Sequence, residues 1–100
     1  MSLSRWGFIY TAPGMPAAGE VTVVDNGQCR TTFVGVPTAA EGAAVAQRLV
    51  REENVQLIEL CGGFGPVGAA AVLEAISHAV PVGVVAYGPE SVDGVHEIFS

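Results

Sequence analysis

One hundred residues suffice for a single domain that buries roughly 60 to 70% of its unfolded-chain surface, so one core must hold everything. Hydrophobic residues make up 50% and charged ones only 14%, with a net charge of −6, which is apolar for a chain whose class carries about 25% charged residues. The four basic residues are all arginine, Arg5, Arg30, Arg48 and Arg51, so nothing offers the clustered cationic surface that nucleic-acid backbones need, and the missing lysine excludes Schiff-base and P-loop chemistry.

No apolar run approaches the ~18 residues of a spanning helix, and Pro13 and Pro16 interrupt the only N-terminal candidate for a signal segment, so no membrane and a cytoplasmic location are expected. Cys29 and Cys61 form no CxxC and sit near no paired histidines, so free thiols are expected, with no metal and no cofactor. Met1-Ser2-Leu3 reads as a cloning leader ahead of a single domain spanning 1–100.

Residues 6–12, WGFIYTA, are aromatic and β-branched and predict a mostly buried first strand, followed by a Pro/Gly loop over 13–19. Residues 20–25 and 28–36 flank Asn26-Gly27, whose φ > 0 preference predicts a two-residue type I′ hairpin. That turn places Val24 opposite Cys29 and Thr22 opposite Thr31, making Cys29 a packing residue. Thr38-Ala-Ala-Glu41 has the form of a capping box, and Gly42, Val45, Ala46, Leu49 and Val50 form the apolar stripe of the helix it starts.

A near-continuous apolar strand is expected over 55–61, then a glycine cluster and a helix from Pro66 to about His78 with a stripe of Ala69, Val72, Leu73 and Ile76. His78 would lie in its last turn, favourably against the helix dipole. A last strand over 82–87 and a short tail helix capped by Ser91, presenting Val92, Val95 and Phe99, complete the chain. The order predicts an α/β fold: one compact domain with a mixed, mostly parallel sheet of about five strands, two main helices and a short C-terminal helix. Strands apolar on both faces want cover on both, yet only two full helices are available. A homo-oligomer, dimer or larger, would bury the leftover face.

Gly63, Gly65 and Gly68 match GxGxxG at a strand-to-helix junction, but so glycine-rich a chain yields ~0.2 such matches by chance. Pro66 also removes an amide from any pyrophosphate cradle, and the following strand ends without an acid for a ribose. A smaller anionic or carbonyl-bearing ligand fits better, at amides freed by Gly62, Gly63 and Gly65. The alternative is a purely structural turn.

Glu59 and Cys61 carry the reactive groups. Strand alternation points both the same way at the carboxyl end of a parallel strand, where open sheets bind ligands. A thiol ahead of glycine amides suits a nucleophile with an oxyanion site, and a carboxylate among apolar neighbours suits general acid–base work. Cys61 could equally be a small buried hydrophobe, and Glu59 a brace for the loop. Tyr10, Thr11 and Tyr87 end neighbouring strands at the same edge and could line the pocket or merely its rim.

IYTAPG, QLIELCGGFGPVG and VPVGVVAYG together resemble a bacterial family of single-domain proteins of about this length, classed as a domain of unknown function. The resemblance implies the fold and carries over no catalytic residue. Two functions follow from the residues: small-molecule binding at 59–68, with or without catalysis, or a non-catalytic oligomeric accessory or interaction protein with a structural glycine loop.

Overall fold

The opening apolar run forms β1, Arg5–Thr11, in the computed structural model, which describes residues 2–100. Around it assemble β2 (Glu20–Asp25), β3 (Arg30–Val36), α1 (Gly42–Glu52), β4 (Ile58–Leu60), α2 (Gly65–Ala75), β5 (Val82–Val84) and α3 (Val92–Phe99). The strands make one mixed sheet of order β2-β3-β1-β4-β5, parallel throughout except for β2. This is the expected α/β fold.

The hairpin departs from its predicted register. Asp25 pairs with Arg30, Val24 with Thr31 and Thr22 with Phe33, leaving a four-residue loop over 26–29. A type I′ turn needs φ > 0 at both central residues, and only Gly27 has it, at +85°. The Asn26 side chain prevails instead: its Oδ1 accepts the Gln28 and Cys29 amides, each at 2.9 Å, as Asx turns do. The slip is two residues, so every side chain keeps its face. Cys29 leaves the ladder for the loop, where it is half-buried.

At the next junction Glu41 Oε2 accepts the Thr38 amide at 3.2 Å and the Thr38 hydroxyl at 2.5 Å. A single 3-10 turn over Ala39–Glu41 then leads into α1. Gly42, Val45, Ala46 and Leu49 are buried as the stripe requires, and Leu49 reaches the bare backbone of Gly7.

α2 begins at Gly65, one residue before Pro66, and ends at Ala75 rather than His78. Ser77 and His78 take left-handed φ values of +53° and +57°, and their amides bond the carbonyls of Glu74 and Leu73, each at 3.0 Å, closing the end as a Schellman-type cap. His78 therefore lies beyond the helix, its Nε2 3.6 Å from Glu74 Oε2 on the surface. β4 and β5 are each three residues long, shorter than their apolar runs, although the Gln56 amide already bonds the Arg5 carbonyl at 2.8 Å.

Strand order decides what covers the sheet. From β3 the chain crosses β1 through α1 to reach β4, then moves the same way through α2 to β5. Right-handed crossovers running in one direction place both helices on one face, and α1 packs directly against α2 there. Ile9, Val34, Val36, Ile58 and Leu60 point into this layer and, with Val45, Leu49 and Val72, form the core. The connection from β1 to β3 runs the other way, but through a loop and β2 rather than a helix, so the opposite face receives no α1 or α2 equivalent. α3 packs mainly on the turn before it, and its Val92 and Phe99 stay exposed, as does Ile98.

Candidate functional site

β4 stops at Leu60 because the chain turns: the Phe64 amide bonds the Cys61 carbonyl at 3.1 Å, while the Cys61 amide still reaches the Ile9 carbonyl of β1 at 3.1 Å. This sets Cys61 beside the end of β1. Its Sγ accepts the Thr11 amide at 3.3 Å and lies 3.6 Å from Thr11 Oγ1.

The glycines have individual steric reasons. A Cβ on Gly62 would lie 2.6 Å from the Tyr87 ring. One on Gly63 would lie 2.5 Å from Thr11 Oγ1 and 3.5 Å from Cys61 Sγ. Gly65 starts α2 at φ +62°, a conformation L side chains rarely adopt. Among the described residues, the amides of Gly62, Gly63 and Gly65 donate to no protein acceptor.

Thr11, Cys61, Gly62, Gly63 and Tyr87 thus meet at the carboxyl edge, as a contact cluster. Two other candidates lie apart. The Tyr10 ring rests over Gly35 of β3 beside Met15, with Cζ and Sδ 2.8 and 2.9 Å from where a Gly35 Cβ would sit. Glu59 is exposed, in register with Phe8 and Gly83, in a shallow hollow it shares with Val84 and Val85. Among the described residues no three His, Cys, Asp or Glu side chains group as a metal site, and no helix is long and apolar enough to cross a membrane. Cys29 and Cys61 are both free thiols. The hydroxyl of Thr38, helped by its amide, holds the Glu41 carboxyl below its ordinary range.

The face without α1 or α2 carries the feature that sequence reasoning missed. Trp6, Phe8 and Phe33 form a cluster of edge-to-face rings with centroids 6.5, 6.4 and 6.1 Å apart. All three are only half-buried. Trp6 and Phe8 alternate with Gly7 and Ile9 along β1, a period-two signal visible in the sequence; only the strand order shows which set the helices cover.

Fold and site together define a single-domain α/β protein with a tightly packed glycine turn and one sheet face that neither α1 nor α2 covers. The chain belongs to a family of unknown function, DUF6506, whose family model matches residues 4–100. Neither the curated proteins nor the solved structures yield a match.

Proposed function

We propose that this protein works as an oligomeric accessory or interaction module, associating with copies of itself through the uncovered sheet face. The observation that carries this is the Trp6–Phe8–Phe33 cluster, half-buried on a face that the crossover direction leaves without a main helix. Aromatic side chains each bring up to about 150–250 Å² and dominate interface energetics. The glycine turn fits a structural role, since Tyr87, Thr11 and a left-handed φ each require one of its glycines. A cytoplasmic setting suits two free thiols. Sedimentation of the full chain tests this: an oligomer that Phe33→Ser reduces toward monomer supports it, and a monomer at every concentration refutes it.

A second reading is kept by one observation, the unused amides of Gly62, Gly63 and Gly65 beside the Cys61 thiol and the Thr11 hydroxyl. In it a small anionic or carbonyl-bearing molecule binds at that edge, with Cys61 as the chemical group and Thr11 and Tyr87 as flanking donors, while Glu59 and Tyr10, which lie apart, take no part. A thermal-shift screen against metabolites tests it, because a ligand at a hundred times its dissociation constant adds about 2.7 kcal/mol. No shift across a broad panel removes it.

A further inference from the structure

We infer that the free edge of β2 pairs with β2 of a second copy, antiparallel about a two-fold axis through Thr22, joining two sheets into one. This contact is separate from the uncovered face and stands on different residues. Among the described residues β2 pairs only with β3, over an unbroken register from Glu20 to Asp25, and all six of its residues are exposed. Natural edge strands of this length are usually blunted by lysine, proline or a bulge; EVTVVD has none. The opposite edge, β5, is only three residues long.

The phase of the ladder shows which groups are free. The Asn26 amide bonds the Cys29 carbonyl at 3.4 Å, while the Arg30 amide turns away from β2 to the Ser4 carbonyl at 2.8 Å. In an antiparallel pair the two kinds of residue alternate, so Val21, Val23 and Asp25 direct their amides and carbonyls outward from the sheet. The two-fold at Thr22 sets Val21 opposite Val23 of the second copy, and these can exchange both backbone bonds. Their side chains line a hollow of about 110 Å³ between β2, β3 and α1, together with Val34, Leu49 and the charged Arg48, Glu52 and Glu53.

Charge favours a second copy in this register. Arg48 Nη2 donates to the Ala18 carbonyl at 2.9 Å and, among the described residues, meets no carboxylate. The same atom lies 3.4 Å from where a Gly19 Cβ would sit. The proposed register brings Asp25 of the second copy beside Gly19, on the helix side of the sheet and toward that guanidinium, where its carboxylate, already 3.8 Å from Arg30 and accepting the Gly27 amide at 2.9 Å in its own chain, would be shared with Arg48. It also separates the like charges, since Glu20 then faces Val24. A two-fold centred one residue later would instead oppose Val21 to Asp25 and move the carboxylate away from Arg48.

The test is the mass of the full chain by light scattering, with folding checked by circular dichroism. Val21→Lys/Val23→Lys should halve the wild-type mass, and an unchanged mass would overturn the proposal. Arg48→Asp and Asp25→Arg alone should each halve it too, and an equimolar mixture of those two variants should restore it, because each then offers the charge the other lacks. A mixture that stays at half mass would overturn the register. If Phe33→Ser lowers the mass while the edge variants do not, the uncovered face stands and the edge pairing falls.

Discussion

Gly63→Ala asks whether the glycine turn is packed or merely open. The added methyl would sit 2.5 Å from Thr11 Oγ1, on a β-branched side chain with little χ1 freedom, and 3.5 Å from Cys61 Sγ, which is ordinary contact. Overpacking of this kind costs typically 1–3 kcal/mol. Lower unfolded-state entropy returns about 0.4–1 kcal/mol, so a net loss of up to about 2.6 kcal/mol is expected, at roughly 4–8 °C in Tm per kcal/mol for a domain of this size. Thr11→Ala removes the offending oxygen and leaves the Thr11 Cβ 3.7 Å from the new methyl. On that background Gly63→Ala should cost nothing or stabilise slightly. Urea unfolding followed by Trp6 fluorescence measures all four corners of the cycle. Equal costs on both backgrounds would refute the steric reasoning.

Three further outcomes are expected. Glu41→Gln should destabilise at neutral pH: because the folded-state carboxyl is held below its usual 4.5 by Thr38, its contribution is present above that value and is lost as pH falls through the lower folded value. Thermal melts of both proteins should converge at acid pH, and a gap that persists there would contradict the assignment. Glu53→Ala should cost about 1–3 kcal/mol by urea unfolding, because it strips the acceptor from the hydroxyl of buried Thr32 (3.4 Å) and from Arg30 Nε (3.3 Å). Leu49→Ala, at a side chain only 2% exposed against Gly7, should cost about 2–5 kcal/mol in the same assay.

The elements legible in the sequence were those whose signal is local. The Thr38–Glu41 box and the stripe Gly42, Val45, Ala46, Leu49 specify where α1 starts and which side it buries, without reference to the rest of the chain. Asn26-Gly27 marked a turn, but its register depended on whether the asparagine backbone or its side chain took the neighbouring amides, and the side chain did. The end of α2 escaped because Ser77 and His78 are not residues that advertise a left-handed cap. At the candidate site, alternation placed Glu59 and Cys61 on one side, yet the turn after Leu60 brings the thiol to Thr11 while the carboxylate stays in solvent. The uncovered face depended on strand order, a property of the whole chain: Trp6 and Phe8 announce an apolar side, and only β3-β1-β4 adjacency tells that no main helix reaches it.

Trp6 is the only tryptophan in the chain and stands on that face, so its emission reports self-association there directly. On dilution of the 100-residue chain, with mass followed in parallel, the oligomer should dissociate and the emission should move to longer wavelength as water reaches the indole. A monomeric mass with an unchanging Trp6 spectrum from the highest concentration downward would contradict the proposed association through the uncovered face.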